Sequence, residues 1–300
     1  MSRQYAFKQV DVFTRRIFGG NPLAVFTDGA GLTSAEMQAI ALEMNLSETT
    51  FVLPPEQPGS VAQVRIFTPR AELPFAGHPT VGTAWVLARL GLVPAGQDEI
   101  TLELGLGPIR VTFEDAADPD AFIWMNQGAA TFGEVVTERP AIASALGVES
   151  ADLAPDLPVQ TVSTGLPFLF VPFATAAAVD RATLSSAGFS GAALDARGAF
   201  LFHSAPGSNR AYARMIATIG GGVWEDPATG SANGPLGAYI VAHGLSSGEP
   251  LVEIVSEQGT RMGRQSFVHI RVETAAGAPR NISVGGAVVP VVEGVLSLPE

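Results

Sequence analysis

The sequence contains no cysteine among its 300 residues. This absence excludes disulfide bonds, thiolate metal sites and catalysis by a thiol. Charged residues are also scarce, at 15%, against roughly a quarter in typical soluble domains. The net charge is −12 and no basic cluster offsets it, so a nucleic-acid partner is not expected. Any acid/base site must therefore use Asp, Glu, His, Lys or Tyr.

The sequence also lacks an apolar signal core at its N-terminus, Met1–Tyr5, which predicts a cytoplasmic protein. One long stretch, from Leu157 to Val179, carries no charged residue and has the length of a membrane span. Because Pro158, Pro167 and Pro172 interrupt it, we predict a pair of buried strands and no membrane association.

Glycine and proline are abundant, with 33 and 22 residues. This composition favours many short strands and tight turns over a helical bundle, and the length is sufficient for two domains. We predict an N-terminal lobe over residues 1–118 and a C-terminal lobe over residues 119–285, with the boundary in the loop-like segment Asp115–Asp120 or just after Asn126. The strand-like tail, residues 286–300, is predicted to return to the N-terminal lobe and pair with it.

Two stretches of the sequence resemble each other at a distance of about half the chain. In each, an arginine, Arg65 or Arg214, opens a strand-like segment. A turn with a polar residue before proline follows, at His78-Pro79 and at Asp226-Pro227, and leads into small residues and an apolar run. A repeat of this length predicts two related lobes, not a solenoid.

A capping box marks the first helix, because Thr33 is followed three residues later by Glu36. Asn45 is a plausible left-handed end of this helix. The strand-like segment that follows starts near Glu48, which therefore stands at a corner between a helix and a strand.

Each repeated turn is predicted to open a buried helix, the first over about residues 79–90. For the second, Asp226 is a favourable N-cap and Pro227 suits the first helical position. Backbone N–H groups at such a helix start can hold an anion, with Thr229 and Ser231 around it. If the lobes face each other, both helix N-termini point into one cleft.

Three residues at informative positions are candidates for acid/base chemistry: Glu48, His78 and Asp226. Each has a simpler explanation: Glu48 as an exposed strand residue, His78 as a satisfied histidine in a proline turn, and Asp226 as a helix cap. The four histidines are not spaced as metal ligands, so no metal is expected.

Four blocks of the sequence, in order over nearly the whole chain, resemble the signature blocks of the PhzF-like (phenazine biosynthesis-like) isomerases. They are Phe18 to Phe26 with its Gly-Asn-Pro-Leu-Ala core, Asn45 to Phe51, Arg65 to Pro69 with Glu72 to Thr80, and Glu225 to Ala232.

The resemblance implies the α+β fold of the diaminopimelate-epimerase superfamily. This fold has two pseudo-symmetric lobes, each a curled, mostly antiparallel sheet or barrel around a central helix, with the site between them. The implied reaction is a double-bond shift by proton transfer without a cofactor, as in the isomerisation of trans-2,3-dihydro-3-hydroxyanthranilate. A small carboxylated substrate and a homodimer are also implied.

The resemblance assigns roles to individual residues. Glu48 matches the catalytic glutamate, supported by His78 and Asp226. The substrate-binding positions are matched by Asn21, Gly77, Gly230 and Ser231, with the backbone N–H groups of the two glycines holding the substrate carboxylate.

Two other functions remain open at this point. One is an epimerase or racemase of an amino-acid-like substrate, in which His78 and Asp226 replace the thiols. The other is a small-molecule binding protein without catalytic activity. The substrate is open as well, because the segment Arg214–Thr218 differs from the Arg-Phe-Ala-Pro of many relatives.

Overall fold

The computed structural model describes residues 2–94, 96–118, 120–183, 198–219 and 222–299. In chain order the elements of the first part are β1 (Arg3–Val12), β2 (Asn21–Phe26), α1 (Ser34–Met44), β3 (Glu48–Leu53), β4 (Ala62–Phe67), β5 (Glu72–Leu73), α2 (Gly77–Arg89), β6 (Glu99–Leu104), β7 (Gly107–Phe113) and β8 (Ile123–Gly128). They are followed by β9 (Thr131–Val136), α3 (Arg139–Ala145), β10 (Val159–Ser163), β11 (Pro167–Pro172), α4 (Ala176–Arg181), β12 (Ala199–His203), β13 (Arg210–Ile219), β14 (Gly222–Asp226), α5 (Gly230–Ala242), β15 (Leu251–Gln258), β16 (Ser266–Ala275), β17 (Ala278–Gly286) and β18 (Val288–Leu298). The fold is a sheet-dominated α+β arrangement.

The chain forms two compact units. The first comprises the described residues up to Asn126 together with those from Gly285 onward, and the second comprises Gln127–Val284. The first boundary follows Asn126, and β8 continues the antiparallel ladder of β7 with Val111 opposite Met125. In the C-terminal tail, β18 pairs antiparallel with β1 from one end of each strand to the other.

Two pairs of parallel strands occur in the described part of the first unit. Strand β2 runs parallel to β3, and β4 runs parallel to β6, while β3–β4, β4–β5 and β6–β7 are antiparallel. Parallel neighbours need a crossover connection. Helix α1 lies between β2 and β3 in the chain, and α2 lies between β4 and β6.

The second unit repeats these pairings in the same order. Strand β11 is parallel to β12 and β13 is parallel to β15, while β12–β13, β13–β14 and β15–β16 are antiparallel. Here α5 lies between β13 and β15, the position that α2 has in the first unit. The internal repeat predicted from the sequence is therefore confirmed as a repeat of strand topology.

The same ion pair joins corresponding strands in both units. In the first, Arg65 on β4 donates from Nε and Nη2 to the two carboxylate oxygens of Glu72, at 2.7 and 2.6 Å. In the second, Arg214 on β13 donates in the same way to Glu225, at 2.9 and 2.8 Å. The repeated arginines noted in the sequence thus each hold a carboxylate in a bidentate contact.

Helices α2 and α5 are the central helices of their units. Eleven residues of α2 and twelve of α5 are buried, as expected for helices that are apolar or small on all sides. A Cβ on Gly82 of α2 would lie 2.6 Å from the Leu23 side chain, and one on Gly237 of α5 would lie 2.5 Å from the Ile270 side chain. Glycine thus allows close packing against the strands in both units.

Helix α1 agrees with its prediction in detail. Thr33 is the N-cap, Glu36 completes the capping box, and Asn45 ends the helix with a φ of 49°. The uncharged stretch from Leu157 contributes the antiparallel pair β10 and β11, as predicted. Among the described residues, no helix has the length and hydropathy needed to cross a membrane.

Candidate active site

The positions of Asn21, Glu48 and His78 follow from the topology of the first unit. Asn21 and Glu48 are the first residues of β2 and β3, which are parallel with Leu23 opposite Glu48. Strand β4 runs back along β3 and ends with Phe67 opposite Thr49. The chain then enters α2, whose second residue is His78. All three side chains are therefore brought to the same end of the sheet.

The three side chains form one buried cluster. Asn21 Nδ2 is 3.1 Å from His78 Nδ1, and His78 Nε2 is 3.5 Å from Glu48 Oε2. Asn21 is fully buried, and the side chains of His78 and Glu48 are 4% and 12% exposed. The simpler explanation of Glu48 as an exposed strand residue is therefore wrong.

Burial determines the charge of His78. It lowers the pKa of the imidazole from 6.5 to about 3, and the hydrogen bond to the Pro22 carbonyl, which acts in the opposite direction, offsets little of this. The ring is therefore neutral near neutral pH. Its contact with Glu48 is one between a neutral imidazole and a carboxyl group, in which the imidazole can donate or accept a hydrogen bond.

The lowered pKa of His78 predicts a pH-dependent stability. Between its folded pKa of about 3 and its unfolded value of 6.5, the unfolded chain binds a proton that the folded chain does not, so stability falls as the pH falls. From about pH 7 to about pH 5 this residue should cost about 2 kcal/mol of unfolding free energy. This loss is measured by denaturant unfolding of the wild type and of His78→Gln at both pH values. Between them, the unfolding free energy of the variant should fall by about 2 kcal/mol less than that of the wild type. An identical pH dependence in the two proteins would contradict the prediction.

Asp226 is not the N-cap of α5, contrary to the prediction. It is the last residue of β14 and pairs with Met215 of β13, so its backbone is held in the strand. Helix α5 begins four residues later, at Gly230, with Thr229 as the N-cap. The Thr229 hydroxyl donates to Asp226 Oδ2 at 2.6 Å. The N-cap prediction failed because the strand pairing extends through Asp226.

Two further buried polar residues, Gln258 and Asn233, join Asp226 and Thr229. Gln258 is fully buried at the end of β15, and its Nε2 donates to the Asp226 carbonyl at 2.7 Å and to Thr229 Oγ1 at 3.0 Å. Its Oε1 accepts from the Thr229 N–H and from Asn233 Nδ2, each at 3.1 Å. A single amide thus connects both ends of the turn before α5.

Gln258 was not predicted as a site residue, although the sequence of β15 contains a signal for it. Along β15 the buried positions alternate, with Val252, Ile254, Ser256 and Gln258 on the inner side. A polar residue at an inward position of an alternating strand indicates a buried hydrogen-bond network. Its partners, some thirty residues earlier in the chain, are not visible in that pattern.

The remaining predicted binding residues lie at the starts of the two central helices. Gly77 and Gly230 are the first residues of α2 and α5, and His78 and Ser231 are the second. Backbone N–H groups at these positions have no acceptor inside the helix, so each helix start can receive an anion. That both helix starts serve one common chamber stays a prediction from the sequence.

Comparisons with known proteins show which family and fold this chain resembles. The family model described as phenazine biosynthesis-like protein matches residues 10–294. The trans-2,3-dihydro-3-hydroxyanthranilate isomerase of Pseudomonas aeruginosa is 34% identical over 92% of this chain and 94% of that protein. The match therefore covers both units.

Solved structures give the same relationship. The structure of the Bacillus anthracis phenazine biosynthesis protein of the PhzF family superposes with a TM-score of 0.86, at 28% identity over 98% of this chain and 99% of that one. A hydroxyproline epimerase from Agrobacterium vitis shares the fold at 12% identity, with a TM-score of 0.64 over 99% of this chain and 94% of that one. The chain belongs to the phenazine biosynthesis-like family of isomerases and has its diaminopimelate-epimerase-like fold.

Proposed function

We propose that this isomerase moves a proton between two carbons of a small carboxylated substrate without a cofactor, with Glu48 as the acid/base group. The observation that carries the proposal is the cluster at the start of α2. A nearly buried glutamate lies 3.5 Å from a buried histidine, whose pKa is lowered so that it carries no competing positive charge near neutral pH.

The chemistry needs one group that takes a proton from carbon and returns it to a different carbon. A carboxylate removes the proton, the electron pair of the broken C–H bond shifts the double bond, and the same carboxyl group then delivers the proton to the far carbon. The substrate keeps its formula and no electrons leave it. Negative charge that develops during the transfer is stabilised by N–H groups at a helix start, such as that of Gly77.

The substrate we propose is trans-2,3-dihydro-3-hydroxyanthranilate or a close carboxylated analogue. The support is the 34% identity to an isomerase of that name over nearly the full length of both chains. In the second unit, we assign substrate binding to Asp226, Gly230 and Ser231, together with Gly77 and Asn21 in the first. A carboxylate suits the glycine N–H groups, and a substrate amino group suits Asp226.

Incubation with trans-2,3-dihydro-3-hydroxyanthranilate in heavy water tests this function. The proposal predicts a change in the ultraviolet spectrum, because the double bond moves, and deuterium at the carbon that receives the proton. An epimerase would instead label the carbon that it inverts and leave the spectrum unchanged. Binding without exchange or spectral change would indicate a binding protein and contradict the proposed activity.

A further inference from the structure

We infer that Gln127 is a positioning residue for substrate binding: by holding the Gly230 carbonyl, it orients the backbone N–H of Ser231 at the start of α5 as a donor to the substrate carboxylate. The inference rests on the proposed function, which assigns substrate binding to Gly230 and Ser231. The hydrogen bonds of Gln127 themselves are independent of any substrate.

The orientation of the Gln127 amide is fixed by its two neighbours. Gln127 lies near the end of β8 and belongs to the second unit. Its Nε2 donates to the Gly230 carbonyl at 2.9 Å, and a carbonyl can only accept. Its Oε1 accepts from the hydroxyl of Thr164, which follows β10, at 2.7 Å. A reversed amide would place two acceptors against each other at Gly230, so only one orientation satisfies both contacts.

The Gly230 carbonyl and the Ser231 N–H belong to the same peptide group. This group is planar and trans, so its C=O and N–H point in opposite directions, and a partner that fixes the carbonyl also fixes the direction of the N–H. Hydrogen bonds in a chain polarise one another. The donors that run from Thr164 through Gln127 to Gly230 therefore also make the Ser231 N–H a stronger donor.

This N–H is available to a ligand. At the start of α5, the N–H groups of Ala232 and Asn233 donate to the Thr229 carbonyl at 3.1 and 3.0 Å. Within the described part of the chain, the N–H groups of Gly230 and Ser231 have no acceptor, as expected for the first turn of a helix. Both donors can therefore receive a substrate carboxylate.

Helix α5 leaves room for the Gln127 amide at Gly234. A Cβ there would lie 2.0 Å from Gln127 Oε1 and 2.8 Å from its Cδ, distances that no real Cβ tolerates. Glycine, although unfavourable inside a helix, thus allows the amide to lie against the first turns of α5. Alanine at this position would displace the amide from the Gly230 carbonyl.

The carbon-13 shift of the Gly230 carbonyl tests the hydrogen bond without a substrate. In the full chain labelled with carbonyl-13C glycine and nitrogen-15 serine, a carbonyl–amide correlation comes only from Gly–Ser pairs. Besides Gly230 and Ser231 these are the pairs at residues 59–60 and 207–208, which serve as references, and Ser231→Ala identifies the signal. In Gln127→Met the Gly230 signal should move to lower chemical shift, because a donor deshields the carbonyl carbon. An unmoved signal would overturn the inference.

Binding and turnover test what the hydrogen bond does. Gln127→Met should raise the Kd of 3-hydroxyanthranilate and the KM of trans-2,3-dihydro-3-hydroxyanthranilate about fivefold. It should change kcat little, because the carboxylate is held equally before and during proton transfer. Gln160→Met is the matched control, since Gln160 Nε2 donates to the Gly133 carbonyl at 2.8 Å in the same unit. An unchanged Kd in Gln127→Met, or an equal loss of binding in the control, would overturn the inference.

Gly234→Ala provides an independent test. It should weaken binding of 3-hydroxyanthranilate in the wild type but change little in Gln127→Ala, where no amide remains to be displaced. The same loss in both backgrounds would contradict the inference. A wild type that binds 3-hydroxyanthranilate without turning over the proposed substrate, with weaker binding in Gln127→Met, would instead refute the proposed reaction and support the positioning role.

Discussion

Replacement of Glu48 by glutamine is expected to lower turnover by about 100- to 10,000-fold, the usual contribution of a positioned acid/base group. The amide has the shape of the carboxyl group but cannot take a proton from carbon. Because Glu48 is the first residue of β3 and its side chain is 12% exposed, the change should alter little of the packing. The measurement is kcat/KM for trans-2,3-dihydro-3-hydroxyanthranilate, with unfolding and binding of 3-hydroxyanthranilate measured beside it.

The matched control for this experiment is Glu43→Gln. Glu43 lies on α1, shortly before Glu48 in the chain, and it is exposed. The same chemical change there should leave turnover unaffected. Full activity in Glu48→Gln would remove the assigned role, and loss of binding together with turnover would indicate a binding role for Glu48 instead.

The second large effect concerns stability and uses the repeated ion pair. The Arg214 side chain is 7% exposed, and besides Glu225 it donates from Nη1 to the carbonyls of Val179 and Ala182, at 2.9 and 2.8 Å. Arg214→Leu leaves a partly buried carboxylate without this partner and two carbonyls without this donor. The expected cost is about 3–5 kcal/mol of unfolding free energy.

The corresponding change in the first unit provides an internal comparison. The Arg65 side chain is 25% exposed and its partner Glu72 is 43% exposed, so water replaces the lost contact. Arg65→Leu should therefore cost only about 1 kcal/mol. Denaturant unfolding of both variants measures the two losses of unfolding free energy. Equal losses would show that burial does not determine how much each arginine–glutamate pair contributes to stability.

Features set by local contacts were predictable from the sequence. The capping box of Thr33 and Glu36 and the left-handed Asn45 define α1 because each contact joins residues within one helical turn. The apolar runs likewise indicated the two buried helices, and the repeated arginines indicated a duplicated arrangement. The position of Glu48 after α1 followed directly from the end of that helix.

Features set by distant contacts were not predictable in the same way. The sequence around Asp226 and Pro227 satisfies the rules for a helix start, yet α5 begins at Gly230 because Asp226 pairs with Met215 on β13. The preference of aspartate for the N-cap position is worth about 1 kcal/mol and depends only on neighbouring residues. It was overridden by the pairing of Asp226 with a strand that is distant from the helix start. For the same reason β14 was not recognised as a strand.

The sequence by itself determined the absence of thiol chemistry, the duplicated plan, and the candidate residues Glu48, His78 and Asp226. Only the tertiary structure decided that Glu48 is nearly buried beside a neutral His78, and that Thr229 and Gln258 donate hydrogen bonds to Asp226. The physical reason is that composition limits the side-chain chemistry available, and short motifs report contacts between residues that are close in the sequence. The charge of a histidine and the direction of a hydroxyl depend instead on burial and on partners that folding brings from distant strands.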